Sequence, residues 1–275
     1  TQPPVYRMYT HPRGEAEMDT LRLDMQGPVA TITLARPDVR NAFNARMIAE
    51  LRETVASLDA SVSVVVLTGD GDIFSAGADL TWMQQSAEFS EQDNARDAEG
   101  MLEMFKALDR APQAVVARIN GPAFGGALGL IACCDMAVAS DTARFGFTEV
   151  RLGIVPAVIS PFVIPKIGVS QARRYFLTGE QFDANQARAI GLVHEVVPGE
   201  QLDASVTELV GRLLKGGPRA IAEAKQLIAE IRRRELLDID AAMAFAVEII
   251  ARLRTSPEGQ EGLRSFLEKR RPNWR

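Results

Sequence analysis

This sequence predicts an α/β fold, on three observations. Up to about residue 170, short β-branched runs alternate with segments of helical periodicity, and alternation of that kind builds a layered sheet-and-helix core. Beyond that point helical periodicity dominates. One local device also occurs twice: strand, turn, small-residue segment and helix follow one another at 62–85 and again at 114–134. With 275 residues, 47% of them hydrophobic, the chain can fill a large core, and one large domain with an appendage is expected.

Leu21 to Gln26 and Val29 to Ala35 read as two strands joined at Gly27-Pro28, a turn pair. Asn44 can cap a helix through Leu58, in which Met47, Ile48, Leu51, Val55 and Leu58 recur at helical spacing. Val62 to Thr68 is a β-branched strand, closed by the turn Gly69-Asp70-Gly71-Asp72. A helix is expected after Asp79, and a longer one from Ser90 or Asp93 to about Arg110. A strand over 114–119, the glycine-rich stretch 121–130 and a buried helix to Cys134 come next. Met136 to Ala139 and Arg144 to Phe147 complete the strands of this part, and Pro156, Pro161 and Pro165 are expected to break up what comes after. Helices are expected over 183–190, 200–214, 218–234, 239–254 and 257–268, with His194 in a strand between the first two.

The ends and the charge narrow the classes of function. Residues 1–18 are polar, contain Pro3, Pro4 and Pro12, and lack a signal peptide's apolar centre, so a flexible tail is expected. A core over 19–198 and a helical C-terminal region over 199–275 follow it. The longest uncharged stretch, 119–134, is too short and too glycine-rich to span a bilayer. The net charge is −5 with no long basic run, which argues against nucleic acid as a partner. Cys133 and Cys134 are adjacent and no CxxC exists, so neither a disulfide framework nor a cysteine zinc site is expected; a cytoplasmic location fits.

Most familiar chemistries lack their residues. His11 and His194 have no partner at metal-ligand spacing, so no metal is expected. Ser75, in Ile73-Phe74-Ser75-Ala76-Gly77, lacks the first glycine of a nucleophile elbow. Glycines at 121, 125, 126 and 129 do not fit the dinucleotide fingerprint. Backbone amides and carboxylates remain. A helix N-terminus exposes unpaired N–H groups, and small residues let a substrate oxygen approach them. Two such amides, one from the glycine-rich stretch 121–130 and one from Ser75–Asp79, would hold the charge of a developing oxyanion. The same glycines also suit tight helix packing, and on their own they do not separate the two roles.

In order and spacing, a series of motifs resembles the enoyl-CoA hydratase/isomerase (crotonase) superfamily. They are Ala35-Arg36-Pro37 with Asn41-Ala42-Phe43, Phe74-Ser75-Ala76-Gly77-Ala78-Asp79-Leu80, Asn120-Gly121-Pro122-Ala123-Phe124-Gly125-Gly126, Cys134-Asp135, Ala143 to Glu149, Leu152-Gly153-Ile154-Val155-Pro156 and Gly191-Leu192-Val193. The resemblance implies a crotonase-like ββα spiral core with the acyl-CoA site in 19–198, and a C-terminal region, 199–275, used in trimers or in hexamers built as dimers of trimers. It implies an acyl-CoA thioester as substrate, so that coenzyme A arrives with the substrate and no resident cofactor is needed. Carried over, the oxyanion donors are the amides of Ala76 and Gly126, and Glu149 is the acid at the α-carbon. Substrate and CoA contacts are expected at Ala76, Gly77, Ala78, Asp79, Arg40, Ala42, Gly125, Gly126 and Gly129, with Asp79 read rather as a helix cap. Arg36, Arg40 and, from a neighbouring subunit, Lys269, Arg270 and Arg271 are candidates for the CoA phosphates or solvated surface charges.

One position departs from the pattern. Hydratases with two glutamates carry an acid three residues after the oxyanion glycine, where this chain has Gly129. Relatives with a single acid include Δ3,Δ2-enoyl-CoA isomerases, yet 149–161 and 173–180 look most like a methylglutaconyl-CoA hydratase-like branch. The leading expectation is therefore hydration of a 2-enoyl-CoA, with a branched or carboxylated acyl group as the finer reading. Isomerisation and non-catalytic acyl-CoA binding are the alternatives. A glutamate placed at 129 is expected to raise hydration. Trp82, Met83, Met101, Met104, Phe105 and Leu108 suit an acyl pocket or ordinary core packing, and a carboxylated acyl tail would need an arginine there.

Overall fold

The computed structural model describes residues 18–235, 244, 247, 248, 250–252 and 254–270. Residues 1–17 of the expected tail, His11, Arg271 and most of the helix expected over 239–254 lie outside them.

Among the described residues nine strands form two sheets: β1 (Leu21–Gln26), β2 (Val29–Leu34), β3 (Val64–Gly69), β4 (Ala114–Ile119), β5 (Ala123–Phe124), β6 (Met136–Ser140), β7 (Arg144–Gly146), β8 (Gln181–Asp183) and β9 (Glu195–Val197). The larger sheet runs β1-β2-β3-β4-β6-β9, and the smaller β5-β7-β8. Only β1–β2 is antiparallel in the larger sheet, as a hairpin turned at Gly27 (φ 58°). Its other neighbours are parallel, which requires a crossover between each pair.

The crossovers and the C-terminal region supply the helices: α1 (Ala45–Ser57), α2 (Leu80–Ala87), α3 (Glu91–Asp109), α4 (Gly126–Cys133), α5 (Ser160–Thr178), α6 (Ala184–Ala189), α7 (Leu202–Leu213), α8 (Pro218–Glu235) and α9 (Pro257–Leu267). Polar side chains cap several starts. Asn44, Asp79, Ser90 and Asp183 each accept a hydrogen bond from a backbone N–H of the first turn.

Alternation along the strands divides the core in two. Val65 and Leu67 of β3 face the larger cluster, with α1, α3 and α4. Val64 and Val66 face the other way, onto Leu202, Val206 and Val210 of α7. Both faces of the sheet are thus covered, and β3 is buried along its whole length.

The prolines do not break the chain where expected. Pro161 falls in the first turn of α5, where its missing N–H is harmless, and the helix continues past Pro165 to a kink at Gly168 (φ 75°, ψ 157°). The short strands β5 and β8 were not expected. Their partners lie in β7, so pairing in the fold creates them, and local propensity does not. At the far end α9 packs against α2 and the turn 149–152. The approach is backbone to backbone, since a side chain at Gly262 would overlap the Leu152 carbonyl.

Candidate active site

The site begins with Asn41, which is fully buried and left-handed (φ 52°), as is Arg40 before it (φ 57°). The Asn41 side chain accepts from the Arg36 N–H at 3.0 Å and donates to the carbonyls of Asp70 and Ile73 at 2.8 Å each. It pins the loop 36–43 beside 70–79. Ser75 donates to Pro122 O (3.3 Å), Ala76 to Arg40 O (2.9 Å) and Asp79 to Phe43 O (3.0 Å). Gly77 donates to Ser75 Oγ (3.1 Å). The Ala78 N–H alone has no acceptor among the described residues.

The second segment gives a parallel result. Phe124 donates to Ser75 O (3.1 Å) and Gly125 to Gly146 O (3.0 Å), whereas Gly126, first residue of α4, has no acceptor among the described residues. Ala127 has none either, but only Gly126 borders the cavity described below. Glycine is required where the two segments meet. Gly77 has φ 85°, and a side chain there would start 2.6 Å from Phe124 O and 3.4 Å from Gly126 N. The outcome corrects the sequence reading: the Ala76 amide is already engaged by Arg40, and the unpaired donors are Ala78 and Gly126.

Glu149 opens a short 3₁₀ turn, Glu149–Leu152, closed by left-handed Gly153 (φ 71°). Its Oε1 lies 3.5 Å from where a Gly125 side chain would begin, which sets the carboxylate beside the N-terminus of α4. Its Oε2 is buried with no hydrogen-bond partner. Burial pushes its pKa from 4.5 up to about 7, partly offset by a hydrogen bond from its own backbone. Ala78, Gly125, Gly126 and Glu149 share one cavity of about 870 Å³.

The remaining expected residues divide. Arg40, Ala42, Ala76 and Asp79 border the cavity; Gly77 and Gly129 do not. Asp79 caps α2, accepting from Thr81 N (2.8 Å) and Trp82 N (3.3 Å), and pairs with Arg36 at 2.8 Å. Arg36 is thereby committed to the protein. Arg270 is held by Glu261 and Glu268. Arg40 and Arg151 are exposed, border the cavity and have no ion pair among the described residues. Arg151 was not anticipated, because only the turn at 149–152 brings it to the mouth.

Gly129 is a second correction. Its missing side chain is replaced by neighbours: a Cβ there would overlap Ile159 and stand 2.8 Å from the Phe105 ring. No carboxylate fits without displacing both, so a glutamate at 129 cannot simply restore a second acid. Met83 and Met101 do border the cavity, whereas Trp82, Met104, Phe105 and Leu108 belong to the packed core.

Comparison with known proteins follows this geometry. A family model described as enoyl-CoA hydratase/isomerase matches residues 24–275. A crystal structure of an enoyl-CoA hydratase from Shewanella pealeana superposes with a TM-score of 0.77 at 38% identity, covering 94% of this chain and 97% of that one. The 2,3-dehydroadipyl-CoA hydratase of Escherichia coli is 31% identical over 94% of this chain and 99% of its own length. The trans-2-decenoyl-[acyl-carrier-protein] isomerase of Streptococcus mutans is 30% identical over 90% of this chain and 94% of its own.

Proposed function

The chain belongs to the enoyl-CoA hydratase/isomerase family, and from that premise we propose that it hydrates a 2-enoyl-CoA thioester with one carboxylate, Glu149. The observation that carries this reading is the convergence of two unpaired amides, Ala78 and Gly126, and a buried carboxylate on a single cavity. The amides receive the thioester oxygen, which makes the β-carbon electrophilic and stabilises the enolate formed on attack. Each such donor is worth about 3 kcal/mol in the transition state. Ionised Glu149 takes a proton from water as its oxygen bonds to the β-carbon. The resulting carboxylic acid returns that proton to the α-carbon, so one water is added and the carboxylate is regenerated. A pKa of about 7 leaves Glu149 able to serve in both directions near neutral pH.

Arg40 and Arg151 at the mouth are the cations available to the CoA phosphates. A branched or carboxylated acyl group, methylglutaconyl-CoA-like, is the finer form of the proposal, and the 2,3-dehydroadipyl-CoA hydratase relative gives it a precedent. A trimeric or hexameric assembly belongs to the same reading. No described helix is long and apolar enough to cross a membrane.

The packing of Phe105 and Ile159 over Gly129 favours a second reading. With a single acid, Glu149 would remove a proton from the α-carbon of a 3-enoyl-CoA and deliver it to the γ-carbon. The test is direct: crotonyl-CoA losing its enoyl-thioester absorbance supports hydration, and a 3-enoyl-CoA gaining it supports isomerisation. Acyl-CoA binding without either change would sink both and leave a binding protein.

A further inference from the structure

Arg254 is the one buried cation on the cavity wall among the described residues. Its side chain is 8% exposed, and it borders the cavity. Nη1 donates to Asp97 Oδ2 at 3.1 Å, and the guanidinium lies 5.5 Å from the centre of the Trp82 ring. The side chain of Gln260 donates to the Arg254 carbonyl at 2.7 Å and holds this stretch of backbone in place. A guanidinium has five N–H donors in a fork that matches a carboxylate. Here a single contact, longer than the usual charge-assisted bond, is the only hydrogen bond the side chain makes among the described residues. No Arg254 nitrogen is among the described buried atoms left without a partner, so its other donors are open to the cavity, where a ligand can take the place of water.

The place of this cation tells which part of a substrate it would meet. Asp97 lies one turn before Met101 on α3, and Trp82 is next to Met83 on α2. Met83 and Met101 border the same cavity as Arg254, whose guanidinium is tied through Trp82 and Asp97 to the two helices that carry them. Arg40 and Arg151, by contrast, are exposed. CoA phosphates carry several charges and favour the exposed pair; the buried guanidinium suits a single planar anion at the end of an acyl chain. Burial also lowers the pKa of Arg254 and raises that of Asp97, each despite the other, so their mutual attraction does not fully offset desolvation.

We propose that Arg254 receives a carboxylate at the far end of the acyl group, so that this site favours ω-carboxylated thioesters over neutral ones of equal length. The inference rests on the acyl-CoA reading of the cavity. Saturated ligands test it without turnover. Adipyl-CoA should bind the full chain at least about tenfold more tightly than hexanoyl-CoA by calorimetry, the scale of a hydrogen bond to a charged group. The kcat/KM ratio of trans-2-hexenedioyl-CoA to trans-2-hexenoyl-CoA should favour the diacid likewise. In the double variant Arg254→Gln, Asp97→Asn, which leaves no lone buried charge, both ratios should fall to near unity. Equal binding of the two saturated ligands by the unaltered protein overturns the proposal, and so does a preference that survives in the double variant. If that variant does not fold, the ratio in the unaltered protein decides alone. Preferential binding of adipyl-CoA with no turnover of either enoyl thioester would overturn the catalytic reading and leave this one standing. Turnover of hexenoyl-CoA with no preference for the diacid would do the reverse.

Discussion

Replacing Glu149 by glutamine should disable the enzyme and stabilise the fold, and the size of the second effect follows from the pKa shift. The carboxyl is held at about 7 against 4.5 in an unstructured chain. At 1.36 kcal/mol per unit, its ionisation disfavours the folded state by about 3 kcal/mol. Below pH 4.5 the group is protonated in both states and adds nothing. Between 4.5 and 7 the unfolded chain ionises first, so stability falls as pH rises, and above 7 the full penalty is present. Glu149→Gln removes that pH dependence. Urea denaturation of both proteins from pH 4.5 to 8.5 should therefore show a gap that opens through this window in favour of the variant. It should reach about 3 kcal/mol by pH 8, which in parallel thermal melts is roughly 5–10 °C in Tm. Turnover should drop at least about 100-fold, the usual contribution of a general base. A gap that is constant with pH would refute the burial argument, and retained turnover would refute the role of Glu149.

Three other substitutions or probes follow from the same geometry. Gly77→Ala should lower kcat about 100-fold with the circular dichroism retained, because the new methyl pushes Phe124 O away and with it one oxyanion donor; an unchanged kcat would remove Ala78 and Gly126 from the mechanism. Gly129→Glu should lose about 1–3 kcal/mol or more of stability in denaturant titration without gaining hydration, since Phe105 and Ile159 fill the space; a faster hydratase of unchanged stability would show that they yield. Cys133 and Cys134 are 3% and 1% exposed, and burial pushes Cys134 up to about 12, so neither should react with a thiol reagent at pH 8 until denaturant is added; rapid labelling of the native protein would contradict the packing of α4.

The sequence was most informative where one local rule acts alone. Short β-branched and apolar runs located β1 to β4 and β6, and Asn44, Asp79 and Ser90 marked the helices they cap. Glu149 was singled out by its surrounding motif, while its burial and elevated pKa were not foreseeable, because they depend on what packs around it. The unpaired amides proposed as oxyanion donors show the limit most clearly. Small residues at 75–79 announced a bare backbone, but which amide is left unpaired depends on Arg40 and Phe43, more than thirty residues away in sequence. The same holds for Gly129, whose space is taken by Phe105 and Ile159. Arg254 was invisible for a related reason: a C-terminal arginine in a helical run reads as solvated surface until Asp97 and Trp82 are seen beside it.

The contact of Gly262 with Leu152 joins the last helix to the very turn that carries Glu149. Helix α9 therefore buttresses Glu149, the group to which the proposed function assigns proton transfer. Any event that lifts it, whether truncation after Thr255 or a bulkier residue at 262, would loosen the base from below while unroofing the cavity from above.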